Sequence, residues 1–149
     1  DERIHKNKVR VSVIGRRELL PQNVLDSIEK AEKSTAEYED YVFTICLAYG
    51  SREEIVLAIR EIASLHASGD LSLDQIDEKE VSNRLYTKGM PDPDLIIRTS
   101  GEERISNFLL WQSAYSEFIF VDTYWPSFSK REFLRALQTY QTRTRRFGE

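Results

Sequence analysis

The chain has 149 residues, of which 40% are hydrophobic and 31% are charged, and its formal net charge is −4. Six glycines, four prolines and a single cysteine exclude collagen, low-complexity disorder and a disulfide scaffold. No apolar run approaches the roughly 18 residues of a transmembrane helix. A chain of about 150 residues can bury a substantial core, so we expect a globular domain.

The charge is unevenly distributed along the chain. Residues 1–20 carry a net charge of +3 and residues 130–149 carry +4, which leaves −11 for the residues between them. An acidic body with two basic ends is not typical of a general nucleic-acid binder, so we expect no nucleic-acid partner. The basic ends are either solvated or help to bind a small anion.

Four short runs of β-branched and aromatic residues predict strands. They occupy residues 9–14, 41–49, 95–99 and 118–121. Helical spacing of apolar residues predicts helices from Pro21, from Ser51, over 72–85, over 106–115 and from Ser129. Ser51 and Ser129 each begin a capping box, with a glutamate three residues later. Alternating strands and helices predict an α/β fold, a mostly parallel β-sheet flanked by helices.

Arginines follow the ends of three predicted strands. Each of these strands ends at or near a glycine, namely Gly15, Gly50 and Gly101. The arginines that follow are Arg16, Arg17, Arg52 and Arg104, and Arg98 lies on the third strand itself. Because ligands bind beyond the carboxyl ends of parallel strands, these side chains are candidates for binding an anion.

The segment 98–107 has the parts of a phosphate site. Arg98 and Arg104 supply guanidinium groups, Ser106 supplies a hydroxyl, and the predicted helix from Ser106 would add free backbone N–H groups. A diphosphate suits this donor set better than a single carboxylate does. The alternative is a polar loop whose residues only cap a helix.

Two further features leave alternatives open. Glu117 lies in apolar sequence, where a carboxylate needs either an arginine partner or a metal ion such as Mg²⁺. Eight of the sixteen aromatic residues lie between Phe108 and Phe128. They either pack a core or subunit interface, or line a site for an apolar ligand; Phe108, Trp111 and Tyr115 would share one helix face.

Residues 93–118 closely resemble the signature of the cis-prenyltransferases, which include undecaprenyl diphosphate synthase. Residues 49–55, Trp125-Pro126-x-Phe128 and the ending 145–148 resemble further motifs of that family. The resemblance covers essentially the whole chain, but the family's N-terminal motif, approximately His-x-x-x-Met-Asp-Gly-Asn-x-Arg-Trp, is absent. Because that motif is absent and the chain does not start with methionine, its only methionine being Met90, we expect residues 1–149 to be the C-terminal portion of a single domain.

The resemblance implies enzymes that act as homodimers and need Mg²⁺. They add isopentenyl diphosphate to an allylic diphosphate, here of the farnesyl or geranylgeranyl type, and make a long, lipid-like polyprenyl diphosphate. It also implies roles for residues of this chain. The diphosphate of isopentenyl diphosphate would be held by Arg98, Arg104, Ile105 and Ser106, with Arg146 and Gly148 approaching it, and Glu117 would bind the metal.

The absent motif carries the catalytic and metal-binding aspartate of the family. We therefore expect no catalytic residue in this segment and no activity from the segment alone, in a protein of the cytoplasm or the membrane periphery. The alternative is a non-catalytic, diphosphate-binding partner subunit of a two-chain synthase. Glu117 lies at the start of one predicted strand and Arg98 lies near the end of another, so a parallel sheet would place them at opposite ends.

Overall fold

The structure is a computed structural model that describes residues 2–143. The chain divides into two compact units, with the division between Gly89 and Met90. That residues 1–149 belong to one domain stays a prediction. Among residues 2–143, no helix is both long enough and apolar enough to cross a membrane.

The first unit is built on a pair of parallel strands. Its elements in chain order are α1 (Glu2–Lys6), β1 (Val9–Ile14), α2 (Gln22–Thr35), β2 (Tyr41–Cys46), α3 (Ser51–Ser68) and α4 (Glu78–Ser82). Val9 of β1 lies beside Tyr41 of β2, and Ile14 lies beside Cys46. Strands of this kind, joined by a helix, are what the alternating pattern predicted.

Side chains of helix α2 accept hydrogen bonds from backbone N–H groups on the outer edge of β1. The backbone N–H of Val11 donates to Thr35 Oγ1 at 3.0 Å, and that of Val13 donates to Glu32 Oε1 at 2.9 Å. Arg17 donates to the same Glu32 oxygen at 2.6 Å. Because unpaired strand edges invite further pairing, these side chains close an edge that β2 does not cover. Arg17, a candidate for anion binding, therefore has a structural partner.

Gly15 lets the loops after β1 and β2 approach closely. Its φ is +120°, and a Cβ added there would lie 2.0 Å from the carbonyl oxygen of Leu47. The backbone N–H of Leu47 donates to the carbonyl of Ile14 at 2.9 Å, and that of Arg16 donates to Ala48 at 3.3 Å. Only glycine fits both the backbone conformation and this contact.

A buried carboxylate ties the start of α3 to the chain beyond α4. Glu54 is 1% exposed and accepts hydrogen bonds from the hydroxyl of Tyr49 and the backbone N–H of Tyr86, both at 2.6 Å. Burial, followed by the hydrogen bond to Glu54, raises the pKa of Tyr49 above its usual range. The neutral phenol thus remains the donor that this carboxylate needs.

The capping box predicted at Ser51 is wrong. Helix α3 begins at Ser51 itself. The residue at its N-cap is Gly50, which has no side chain to accept a capping hydrogen bond. Ser51 is fully buried in the first turn of the helix. The helix starts one residue earlier than the motif suggested, so Ser51 lies in its first turn and packs inside the unit.

The second unit is also built on a parallel pair. Its strands are β3 (Leu95–Arg98) and β4 (Glu117–Phe120), and α5 (Lys130–Thr142) follows. Leu95 lies beside Glu117, and Arg98 lies beside Phe120. The capping box predicted at Ser129 is confirmed, with Glu132 as its second member. Parallel strands flanked by helices therefore confirm the predicted fold class.

Three expectations from the periodicity were wrong. Residues 106–115 form turns instead of a helix, because Ser106, Asn107 and Leu109 have φ values of 51°, 63° and 48°, which no right-handed helix accommodates. Residues 72–85 hold only one turn of 3₁₀ helix, at Leu73–Gln75, and the short α4. The nearly continuous apolar run 41–49 is typical of a strand buried on both faces, yet Phe43 of β2 is 52% exposed in the structure.

The close approach at Gly15 generates a test of this fold. Gly15→Ala should lower the free energy of unfolding by about 3 kcal/mol or more, because the methyl group meets the Leu47 carbonyl in a left-handed backbone. Gly69→Ala is the matched control: φ is +84° there, but a Cβ would meet nothing within 4 Å. That variant should lose about 1–2 kcal/mol. Equal losses in urea unfolding would contradict the contact.

Candidate functional site

The loop after β3 folds back around the guanidinium group of Arg98. The Nη1 of Arg98 donates to the backbone carbonyl of Arg104 and to Ser106 Oγ, the latter at 2.9 Å. In the part of the chain that the structure describes, the other N–H groups of Arg98 have no acceptor. The loop therefore holds Arg98 in place and leaves donors available to a ligand.

A left-handed turn directly after β3 sets the course of this loop. Ser100 and Gly101 have φ values of 75° and 67°. Their backbone N–H groups donate to the carbonyls of Thr123 and Val121, each at 3.0 Å. These bonds fasten the start of the loop to the segment after β4, so the residues that follow can return to Arg98.

Arg104 lies at the open side of the loop. Its guanidinium forms an ion pair with Glu102, and the two side chains are 63% and 41% exposed. Exposed ion pairs of this kind stabilise a protein by about 1 kcal/mol or less. A doubly charged diphosphate can therefore replace Glu102 at Arg104 with little loss of stability.

A cavity of about 260 Å³ lies between this loop and the β3–β4 pair. It is lined by Ile96, Ile97, Arg98, Thr99, Arg104, Ile105, Ser106, Phe108, Phe118 and Phe120. The structure thus brings together the four residues of the loop that the sequence singled out for a diphosphate. The lining of the cavity combines guanidinium and hydroxyl groups with apolar side chains.

Phe118 and Phe120 were not predicted as neighbours of Arg98. The register places Ile96 beside Phe118 and Arg98 beside Phe120, so these four side chains share one face of the strand pair. The two phenyl rings stack with centroids 6.2 Å apart. The alternation of side chains along each strand shows which residues share a face. It could identify Phe118 and Phe120 as neighbours of Arg98 only once the register of β3 and β4 was known.

The predicted helix N-terminus does not contribute to this site. Because residues 106–115 form turns, Phe108, Trp111 and Tyr115 do not share a helix face, and no helical N–H groups point at a ligand. The side chains that line the cavity and carry hydrogen-bond donors are those of Arg98, Thr99, Arg104 and Ser106. Arg146 and Gly148 lie outside the described residues, so their roles stay predictions.

Glu117 lies away from this cavity. In the register it pairs with Leu95, three residues and about 10 Å from Arg98 along the strands, and on the opposite face. Its carboxylate accepts from Arg143 at 2.9 Å, and Arg143 also donates to the carbonyl of Phe118 at 2.8 Å. Of the two interpretations of Glu117, an arginine partner is the one that the structure displays.

Glu117 does not fit the role of a ligand to Mg²⁺ on a diphosphate at Arg98 of the same chain. Among residues 2–143, no group of three or more Asp, Glu, His or Cys side chains could hold a metal ion. One or two carboxylates suffice for Mg²⁺ when a substrate phosphate supplies further oxygens. Glu117, however, is at the wrong end and on the wrong face of the strands to supply one within the same chain.

The geometry defines an α/β protein with a basic loop at the carboxyl end of a parallel strand. A family model described as "Putative undecaprenyl diphosphate synthase" matches residues 1–148. Two curated relatives, named tritrans,polycis-undecaprenyl-diphosphate synthase (geranylgeranyl-diphosphate specific), come from Thermoplasma volcanium and Pyrococcus horikoshii. Each is 53% identical over 148 residues, which are 99% of this chain but 57% and 56% of those proteins.

Two solved structures are similar along nearly the whole chain. Lavandulyl diphosphate synthase from Lavandula x intermedia, in complex with dimethylallyl diphosphate, has a TM-score of 0.95 at 39% identity over 99% of this chain and 64% of its own. A probable undecaprenyl diphosphate synthase from Campylobacter jejuni has a TM-score of 0.82 at 33% identity, over 99% of this chain and 67% of its own.

The chain belongs to the undecaprenyl diphosphate synthase family of cis-prenyltransferases. It spans little more than half the length of the curated relatives, 57% and 56% for the two described above. The chain has the parallel strands and the basic loop.

The separation of Glu117 from Arg98 can be tested by binding. In the absence of added metal, Glu117→Gln should change the affinity of this chain for inorganic diphosphate less than about twofold, because the side chain does not reach the cavity. Its free energy of unfolding should fall by about 0.5–1 kcal/mol, through loss of the ion pair with Arg143. Isothermal titration calorimetry and urea unfolding measure the two quantities. A large loss of affinity would place Glu117 in the site.

Proposed function

We propose that the whole protein is a cis-prenyltransferase that condenses isopentenyl diphosphate with an allylic diphosphate. In that reaction the allylic C1–O bond breaks and inorganic diphosphate leaves. A bond forms from C4 of isopentenyl diphosphate to the allylic C1, and a proton is lost from C2. This chain would carry the site for isopentenyl diphosphate, and the groups that start the reaction would lie elsewhere in the protein.

The observation that carries the proposal is the clustering of Arg98, Arg104 and Ser106 around one cavity. Each supplies hydrogen-bond donors to a diphosphate, and two of them supply positive charge. Charge-assisted contacts of this type are among the stronger polar interactions in proteins. A family member with this cavity has what it needs to hold one substrate by its diphosphate.

The chain's own residues would contribute positioning. Arg98 is held by the Arg104 carbonyl and Ser106 before any ligand arrives, so little rotamer freedom remains to be lost on binding. Anchoring the diphosphate fixes one end of a five-carbon substrate, and Ile105 and Phe118 give its hydrocarbon an apolar wall. Holding a substrate in place in this way lowers the entropic barrier of a two-substrate reaction.

Magnesium belongs to the proposal for the whole protein, and no step assigned to this chain passes through it. Glu117 could serve a diphosphate at Arg98 only from a second copy, as expected for a homodimer. Arg146 and Gly148 would complete the diphosphate site from the end of the chain. The resemblance of these residues to family motifs supports the three assignments.

The allylic substrate that we propose is of the geranylgeranyl type. The names of the Thermoplasma volcanium and Pyrococcus horikoshii relatives specify geranylgeranyl diphosphate, which favours it over the farnesyl type. The product would be a long polyprenyl diphosphate with a lipid-like tail. We further propose that the protein acts in the cytoplasm or at the periphery of a membrane.

Arg98→Ala tests the substrate site. The change removes a charge-assisted contact of about 1.5–3 kcal/mol, which corresponds to a loss of about tenfold to a hundredfold in affinity for isopentenyl diphosphate. Calorimetry on the protein that includes the family's N-terminal motif measures this loss. Arg135→Ala, at an arginine outside the loop, is the control and should bind normally. Unchanged affinity in Arg98→Ala would reject the role of Arg98.

The division of labour can be tested by turnover. The 149-residue chain should bind isopentenyl diphosphate weakly and should not elongate geranylgeranyl diphosphate, even with Mg²⁺ present. A chimera that adds the preceding part of the Pyrococcus horikoshii relative should elongate it, as measured by radiolabelled product. Turnover by the chain alone would contradict the assignment of the starting chemistry to other residues.

The alternative, a non-catalytic partner subunit, makes a different prediction for the same assay. In that case the chimera would stay inactive, and turnover would appear only when a separate catalytic chain is added. Binding at Arg98 would be the same in both cases. The turnover assays therefore distinguish the synthase from the non-catalytic partner subunit, and the binding assay tests the diphosphate site that both would have.

A further inference from the structure

A second cavity, of about 340 Å³, lies in the first unit where the loop after β1 meets helix α3. Its charged lining consists of three arginines, Arg16, Arg52 and Arg60, and two glutamates, Glu18 and Glu53. The proposed reaction uses none of these side chains. The site also consists of different residues from the loop around Arg98.

Both carboxylates of this cavity are engaged by a single arginine. Arg16 lies 2.7 Å from Glu18 and 3.6 Å from Glu53. Arg60 has neither a hydrogen bond nor an ion pair with any other residue between 2 and 143. Arg52 adds a third guanidinium group to the same cavity. The two glutamates therefore balance two of the three positive charges, and positive charge remains on the α3 side.

The helix face in this cavity is both basic and apolar. Arg52, Val56 and Arg60 are spaced four residues apart, so they follow one another along one face of α3. Val56 is 46% exposed and Leu57, which also lines the cavity, is 43% exposed. Guanidinium groups match the oxygens of a phosphate, and the exposed aliphatic side chains match a hydrocarbon.

We propose that Arg16, Arg52 and Arg60 form a second anion site, which takes the phosphate or diphosphate group of an amphiphile. The phosphate oxygens are bound first by Arg60, and Arg52 and Arg16 contribute once their present partners give way. The first carbons of the attached chain cover Val56 and Leu57. The ligand is either a soluble diphosphate or a lipid headgroup, because both present the same chemistry.

The test compares two variants, each of which replaces an exposed, positively charged helix residue with glutamine. Arg60→Gln removes a cation from the cavity, and Lys33→Gln removes one from the exposed face of α2, outside the cavity. Both are made in the 149-residue chain that also carries Arg98→Ala, so that the first site does not contribute. Inorganic diphosphate is titrated by calorimetry, and vesicles of phosphatidylcholine with and without phosphatidic acid are tested by co-sedimentation.

The expected result is a loss of about threefold to tenfold in affinity for Arg60→Gln and no change for Lys33→Gln. Binding of diphosphate supports a soluble ligand, whereas binding of only the vesicles with phosphatidic acid supports a lipid headgroup. The proposal is overturned by absence of binding to both probes, by equal losses in the two variants, or by vesicle binding that does not require phosphatidic acid.

A spectroscopic measurement keeps the proposal testable if Arg98→Ala does not fold. In the chain without substitutions, diphosphate should shift the Nε–Hε resonance of Arg60 in a ¹⁵N-resolved NMR spectrum. The Nε–Hε resonance of Arg135, which lies in the other unit and outside this cavity, should shift less. An unmoved Arg60 resonance at saturating diphosphate would overturn the proposal.

Discussion

In the parallel register of β3 and β4, Arg98 lies beside Phe120 and Glu117 lies beside Leu95. This pairing places the arginine at the carboxyl end of its strand, where the following loop turns left-handed at Ser100 and Gly101 and closes around it. The same pairing carries Glu117 to the other end and the other face of the strands. A shift of the register by one residue would reverse the faces and dismantle the cavity.

The arginines at the strand ends have different roles, although all of them lie at similar positions in the sequence pattern. Arg17 donates to Glu32, beside the covered edge of β1, and so serves the fold. Arg98 and Arg104 line the cavity after β3, with Arg98 held by its own loop. Hydrogen-bond partners distinguish these roles. An arginine whose guanidinium is paired with a carboxylate that also holds the backbone has fewer N–H donors for an anion than an arginine with unused donors.

The strands and the family could be read from the sequence because both depend on local patterns. Runs of β-branched and aromatic residues located all four strands, and the segment 93–118 carried enough motif to indicate the cis-prenyltransferases, which the family model confirmed. The helix expected over 106–115 could not be read correctly. Its apolar spacing is helical, but the backbone at Ser106, Asn107 and Leu109 is left-handed, so the loop can return to Arg98.

The sequence by itself determined the fold class, the family and four residues that gather at one cavity, namely Arg98 at the end of β3 and Arg104, Ile105 and Ser106 in the loop that follows. Local periodicity and contiguous motifs encode these features. Tertiary structure alone decided which aromatic rings join them, which arginine pairs with Glu117, and which carboxylate is buried in the first unit. Arg143 is 26 residues from Glu117, and Tyr86 is 32 residues from Glu54. Contacts at such separations depend on how strands pair and helices pack, and no spacing along the chain records them.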